Sequence, residues 1–108
     1  MLKKLQFDQG AGIWKGSLEG ELDVFQAPKM LESLEQALSA HPATIVLDCE
    51  KLDYIDSMGL GALVKANKHA QNTGGRVTLE NVKPRIHKLF AITGLCGVFG
   101  MEEASHEG

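Results

Sequence analysis

The chain has 108 residues, of which 44% are hydrophobic and 23% are charged, a balance typical of one globular domain with one core. Its net charge of −3 and its lack of a Lys/Arg block argue against a nucleic-acid-binding face. The sequence has no apolar run of about 20 residues that could span a membrane and no apolar signal-peptide core near its start, so we expect a cytoplasmic protein without direct membrane insertion.

The first part of the chain predicts a β-hairpin and then a helix. Leu5 and Phe7 alternate in a first strand, and IWKGSLEGELD forms a second strand, in which Gly20 marks a bend or a bulge. After GELD the apolar residues recur at three- and four-residue steps, which predicts a helix with one buried stripe. That stripe comprises Met30, Leu31, Leu34, Ala37 and Leu38.

The rest of the chain alternates strands and helices. TIVLDCE is typical of a central strand, and polar KLDYID links it to a helix that begins at SMGLG and ends at Gly-Gly. RVTLENV predicts another strand, KPRIHKLFAITGL a short helix, CGVFG a short last strand and MEEASHEG a polar tail. The order β-β-α-β-α-β-α-β predicts an α/β fold with a mixed, mostly parallel sheet that starts with an antiparallel hairpin.

Motifs of the common enzyme classes are missing. Ser57 does not lie in a GxSxG elbow, the chain has no phosphate-binding P-loop, and GLGALV lacks the third glycine of a dinucleotide-binding motif. Cys49 and Cys96 are distant in sequence and lack metal-ligand spacing, which predicts two buried free thiols. We therefore expect a protein that is not an enzyme and that needs no cofactor or metal.

The stretch DYIDSMGLG places a serine at the mouth of a helix, and two interpretations are open. In the first, Ser57 is simply the helix N-cap, which contributes about 1 kcal/mol. In the second, it belongs to a docking surface that phosphorylation switches, because a phosphate adds about −1.5 to −2 charges. Asp53 and Asp56 would face that charge, and Asp23 of GELD comes near if the strands pair as predicted.

The neighbours of Ser57 suit the second interpretation. Gly59 and Gly61 are expected to leave the first turns of the helix bare, so a bulky residue at either position should harm binding more than folding. Met58 and Leu60 offer apolar contact beside them. A helix N-terminus also accepts added negative charge, which is stabilising there by about 0.3–1 kcal/mol, so the modified domain should stay folded.

Residues 5–100 closely resemble the STAS domain of bacterial anti-sigma-factor antagonists. The resemblance depends on GELD, on Asp-Ser-x-Gly-Leu-Gly after an apolar strand, and on a last helix that ends in Thr-Gly-Leu. It implies that Ser57 is the phosphoacceptor, that Asp56 is the preceding motif acid and that Asp23 is the GELD aspartate.

The resemblance also implies a partner switch. The unphosphorylated antagonist binds a cognate anti-sigma factor, which is also an ATP-dependent serine kinase; phosphorylation of Ser57 releases it and a PP2C-type phosphatase restores it. We expect a monomer with the domain at residues 1–100 and the polar tail at residues 101–108. The expected partner contacts are Asp23, Asp56, Met58, Gly59, Leu60 and Gly61.

Two other functions stay open from the sequence. One is a fixed structural subunit of a membrane complex, such as a lipid-transport ABC assembly. Relatives of that kind tend to carry Thr at the motif position, where this chain has Ser57. The other is a sensor that binds a small molecule or a nucleotide.

Overall fold

The computed structural model of the protein describes residues 1–101. Within them the elements are β1 (Leu2–Asp8), β2 (Ile13–Leu18), β3 (Gly20–Leu22), α1 (Gln26–Ala40), β4 (Thr44–Asp48), β5 (Leu52–Ile55), α2 (Ser57–Gln71), β6 (Val77–Glu80) and α3 (Pro84–Ile92). Strands β1 and β2 form the predicted antiparallel hairpin, with Phe7 opposite Trp14. Strands β4 and β6 extend it in parallel to give the order β1-β2-β4-β6, so the predicted mixed sheet is confirmed.

The strand predicted to run through GELD divides at Gly20. Its φ of 73° lies in the left-handed region that glycine adopts without a side-chain clash, and its N–H donates to the Lys51 carbonyl at 2.8 Å. The chain therefore leaves the main sheet, and β3 pairs in parallel with β5 in a separate two-stranded sheet. Strand β5 lies in the stretch that the sequence predicts to be a link. The sequence does not indicate this strand, because its buried residues Leu52 and Ile55 do not alternate with period two.

Helices α1 and α2 pack against each other and share one apolar core with the sheets. The stripe predicted for α1 is confirmed, since Met30, Leu34 and Leu38 are at most 1% exposed. Asn67 of α2 is a buried polar residue at 3% exposure, and its Oδ1 accepts the Val77 N–H at 2.8 Å. This bond satisfies the buried amide oxygen and fixes α2 to the first residue of β6.

The predicted last strand is wrong, since residues 96–100 form consecutive turns. Gly100 takes a positive φ of 68°, which an extended strand does not allow. The turns bring the Phe99 ring into the core, where it meets Phe90 edge to face with the ring centroids 5.5 Å apart. Burial of an aromatic ring thus decides the path of this segment.

Met101 belongs to the core, whereas the sequence predicts it to be part of the polar tail. Its side chain is only 9% exposed, and its N–H donates to the Cys96 carbonyl at 2.8 Å. The remainder of the predicted tail, residues 102–108, lies outside the described residues. Cys49 and Cys96 are both buried, as predicted, and burial raises the pKa of the Cys49 thiol to about 12.

Candidate functional site

The pairing of β3 with β5 brings two distant segments to one edge of the molecule. Leu22 lies opposite Ile55 in the parallel register, and the Asp56 N–H donates to the Leu22 carbonyl at 3.3 Å. Because parallel strands end at the same side of a sheet, residues 23–25 and residues 56–61 leave it side by side. We call residues 23–25 together with residues 54–61 the Ser57 edge.

Asp56, and not Ser57, is the N-cap of α2. Asp56 has the extended backbone of a cap, with φ −109° and ψ −175°, and its Oδ1 accepts the Gly59 N–H at 2.9 Å. The expectation that Ser57 caps the helix is wrong. Aspartate is as good a cap as serine, and its negative charge also interacts favourably with the helix dipole.

Ser57 is therefore the first helical residue, and it is exposed. Capping is done by its neighbour, and within residues 1–101 the Ser57 hydroxyl takes part in no hydrogen bond that would hold it. The hydroxyl thus stands in solvent at the positive end of a 15-residue helix. Such a position leaves the oxygen accessible to a modifying enzyme.

The two glycines of the motif have different environments. Gly59 is buried, and a Cβ at its position would lie 2.2 Å from the Leu22 carbonyl oxygen and 2.9 Å from the Leu22 Cγ. The expectation that Gly59 bares an exposed turn is therefore wrong, because its missing side chain lets α2 rest on the backbone of β3. Gly61 is exposed, and a Cβ there would meet nothing within 4 Å. Gly61 is the glycine that bares the surface.

The other predicted contact residues lie on the Ser57 edge. Met58 is 53% exposed and Leu60 is partly buried against the core. The Asp23 Oδ1 accepts the N–H groups of Phe25 and Gln26 at 3.1 and 3.0 Å. Asp23 thus holds the start of α1, a structural task that the sequence analysis did not assign to it.

Asp53 does not add free negative charge to this edge. Its carboxylate forms an ion pair with Lys83 at the start of α3, and the Arg85 guanidinium donates to the Asp53 carbonyl at 2.8 Å. The hydrogen bond from Lys83, followed by the positive charge of that side chain, holds the pKa of Asp53 below its ordinary value. Among the described residues, the acidic residues of the Ser57 edge that form no ion pair are therefore Asp23 and Asp56.

Sequence reasoning missed three exposed apolar residues of the Ser57 edge. Val24 is 47% exposed, Phe25 is 75% exposed and Tyr54 is 50% exposed. Phe25 was hidden from the pattern because it precedes the first turn of α1, where the helical period does not yet apply. Tyr54 lies in the strand that the pattern did not predict.

The described residues contain neither a metal-binding cluster nor a helix that could span a membrane. Within residues 1–101, no cluster of three or more His, Cys, Asp and Glu side chains is arranged to hold a metal ion. None of the helices in this part of the chain combines the length and the apolar character needed to cross a bilayer. A groove of about 500 Å³ lies on the open face of β1 and β2 and includes Lys4, Lys15 and Asp48, but Ser57 does not line it.

The comparison with protein families agrees with this geometry. The family described as the STAS domain matches residues 6–108, which is nearly the whole chain. The chain belongs to the STAS domain family. This STAS domain is 35% identical over 92 residues to the anti-sigma-B factor antagonist of Bacillus subtilis strain 168, covering 85% of this chain and 84% of that protein. It is 32% identical over 88 residues to the anti-sigma-B factor antagonist of Listeria monocytogenes, covering 82% of this chain and 77% of that protein.

Solved structures show the same fold. The anti-sigma factor antagonist SpoIIAA in its unphosphorylated form matches this STAS domain with a TM-score of 0.72 at 25% identity, covering 96% of this chain and 90% of that one. The phosphorylated form of the Bacillus SpoIIAA matches with a TM-score of 0.72 at 26% identity, covering 96% and 92%. A sulfate transporter family protein from Wolinella succinogenes shares the fold alone. It matches with a TM-score of 0.71 at 19% identity, covering 82% of this chain and 72% of that one.

Proposed function

We propose that this STAS domain is an anti-sigma-factor antagonist that binds a cognate anti-sigma factor when Ser57 is unmodified and is released when Ser57 is phosphorylated. The observation that carries the proposal is the position of Ser57, which is exposed, uninvolved in capping, and placed on an edge fixed by β3 and β5. The two anti-sigma-B factor antagonists named above are regulators and not enzymes, and their match to this chain covers most of their own length.

The switch would act by charge and not by refolding. A phosphate on Ser57 adds about −1.5 to −2 charges next to Asp56, on the edge to which Asp23 also belongs. Within the domain, the dipole of α2 offsets part of this repulsion by about 0.3–1 kcal/mol. Both forms of SpoIIAA match this chain with the same TM-score, which supports a fold that tolerates the modification.

The helix dipole does not offset the cost of covering this phosphate with a docked partner. Docking would enclose the phosphate with the neighbouring carboxylate of Asp56 away from water, and such crowding of like charges at an interface costs several kcal/mol. About 1.4 kcal/mol already corresponds to a tenfold loss of affinity. The proposed contact surface consists of Asp23, Asp56, Met58, Leu60 and Gly61, with Gly59 packed beneath it. The anti-sigma factor would bring the ATP and the kinase activity, and this chain would act as a monomer in the cytoplasm without a cofactor or a reaction of its own. A PP2C-type phosphatase would remove the phosphate.

The test combines phosphorylation with binding. Incubation with the cognate anti-sigma factor kinase and ATP should give a mass gain of about 80 Da, one phosphoryl group, which Ser57→Ala abolishes. Ser57→Glu should weaken binding to that kinase by about tenfold or more. Ser57→Ala should bind like the wild type, and neither variant should move the free energy of unfolding by more than about 0.5 kcal/mol, because the side chain is exposed. A mass gain that persists in Ser57→Ala would assign the phosphate to another residue and refute the proposal.

A further inference from the structure

Exposed apolar side chains concentrate at the Ser57 edge. Within residues 1–101, seven large hydrophobic residues are exposed, and four of them, which we call the apolar rim, lie at this one edge. The apolar rim consists of Val24, Phe25, Tyr54 and Met58. Single exposed apolar residues are common on soluble proteins, whereas a group of them at one place marks an interaction surface.

The register of β3 and β5 explains why the apolar rim lies in one place. Tyr54 precedes Ile55, which pairs with Leu22, and Val24 and Phe25 follow Leu22 by two and three residues. Met58 is the second residue of α2 and lies directly before the glycine that packs on the Leu22 backbone. Two segments far apart in sequence thus contribute to one surface on both sides of Ser57.

Phe25 is the most exposed member of the rim, and its backbone is nevertheless fixed. Its side chain is 75% exposed. Its N–H donates to the Asp23 Oδ1 at 3.1 Å, and the Asp23 carbonyl accepts the Ala27 N–H at 2.8 Å. An aromatic ring on a fixed backbone loses little conformational freedom when it is buried by a partner, which is the property of an interface anchor.

The charges around Phe25 indicate what kind of partner surface would be complementary to it. Within residues 1–101, the hydrogen bonds of the Asp23 and Asp56 carboxylates use Oδ1 in each case. The Oδ2 atoms of these two partly exposed groups therefore form no hydrogen bond within this part of the chain, and the exposed Glu21 lies on the same strand as Leu22. A complementary partner has an apolar pocket for the ring and basic side chains around that pocket.

We propose that Phe25 is the apolar anchor of the complex and determines which anti-sigma factor this chain binds, by filling an apolar pocket with a basic border on that partner. This inference rests on the proposed function and adds a contact residue to it. Burial of the Phe25 ring would also be linked to phosphorylation of Ser57. Both groups lie at the Ser57 edge, so a partner that buries the ring must also remove water from the phosphate. Asp23 then serves as a positioning residue that holds Phe25.

The test compares two side chains of equal exposure. Phe25→Ala removes the ring, and Ile92→Ala is the matched control, since Ile92 is also 75% exposed but lies at the far end of α3. The dissociation constant of each full-length variant with the purified cognate anti-sigma factor is measured by calorimetry, together with its melting temperature. Phe25→Ala should weaken binding by about tenfold or more, as loss of an interface anchor does, while Ile92→Ala should stay within about twofold of the wild type.

Two further variants make the result specific to the ring. Phe25→Tyr should recover most of the affinity because it keeps the aromatic ring, and Phe25→Gln should bind as weakly as Phe25→Ala while it melts like the wild type. Asp23→Asn, which keeps one acceptor oxygen, should bind more tightly than Asp23→Ala, because it still holds the Phe25 N–H.

The outcomes separate the inference from the function on which it rests. A wild-type chain that does not bind the kinase contradicts the proposed function itself. A wild type that binds and is released by phosphorylation, together with equal affinities of Phe25→Ala and Ile92→Ala, overturns only the role of Phe25. If sedimentation shows a dimer of the wild type that Phe25→Ala dissociates while kinase affinity is unchanged, the apolar rim belongs to a second copy of this chain and the inference is wrong.

Discussion

Gly59 and Gly61 give a matched pair of substitutions with opposite expected effects. Alanine is favoured over glycine inside a helix by about 1 kcal/mol, so propensity alone predicts a gain at both positions. At Gly61 the new Cβ meets nothing within 4 Å, and the full gain is expected. At Gly59 the new Cβ would lie 2.2 Å from the Leu22 carbonyl oxygen, whereas a carbon and a carbonyl oxygen normally stay about 3.3 Å apart.

The clash at Gly59 cannot be relieved by a side-chain rotation. The Leu22 carbonyl is backbone and accepts the Asp56 N–H at 3.3 Å, so moving it by roughly 1 Å disturbs the contact between β3 and the start of α2. Overpacking of this kind costs about 1–3 kcal/mol, and the upper end applies because the atom is backbone. After the propensity gain is subtracted, Gly59→Ala should lower the free energy of unfolding by about 2 kcal/mol.

Thermal melts of the two variants test this reasoning. One kcal/mol shifts the melting temperature of a domain of this size by about 4–8 °C. Gly59→Ala should therefore melt roughly 10 °C below the wild type, and Gly61→Ala about 4 °C above it. Equal melting temperatures for the two variants would refute the close packing of α2 on β3. Gly61→Ala should in addition weaken partner binding, since this glycine bares the proposed contact surface.

The remaining predictions concern the helix cap and one ion pair. Asp56→Ala should lose about 1 kcal/mol of unfolding free energy in denaturant titrations and Asp56→Asn much less, because asparagine also caps; a larger loss in Ser57→Ala than in Asp56→Ala would restore Ser57 as the cap. The pKa of Asp53 is lowered on folding from its ordinary value of 3.8, mainly by Lys83. The pair therefore contributes stability above that ordinary value and loses it as the pH falls through the lower folded value. Lys83→Met should raise the carboxyl titration midpoint of Asp53 in NMR spectra, and an unchanged midpoint would exclude the pair.

The elements that the sequence predicted correctly are those with a clear periodic pattern. The α1 stripe of Met30, Leu34 and Leu38 repeats over several turns, and the apolar run of β4 has polar residues at both ends. Each pattern reports burial directly, so no knowledge of the neighbours was needed. Strand β5 is only four residues long and shows no alternation, so nothing local distinguished it from a loop.

The errors at the site have a common cause, which is that tertiary contacts decide between equivalent local choices. Asp56 and Ser57 are both good caps, and the pairing of β3 with β5 fixes the helix start at the first of them. Gly59 and Gly61 look alike in sequence, but only Gly59 meets Leu22, which belongs to a strand far earlier in the chain. The exposure of Phe25 likewise depends on where β3 ends and not on any local pattern.

The packing of α2 on the Leu22 backbone also limits how a kinase that modifies Ser57 could bind this chain. The Ser57 hydroxyl belongs to a helical turn that packs on a strand from another part of the chain, so it could enter an enzyme as an extended peptide only if that turn unfolded. A short synthetic fragment around Ser57 would lack both Asp23 and Phe25 and would have no stable helical end. A kinase for Ser57 would therefore have to recognise the folded surface and not a linear sequence around the serine. Two separate stretches of the chain contribute to that surface, so both would determine which of several related proteins the kinase accepts.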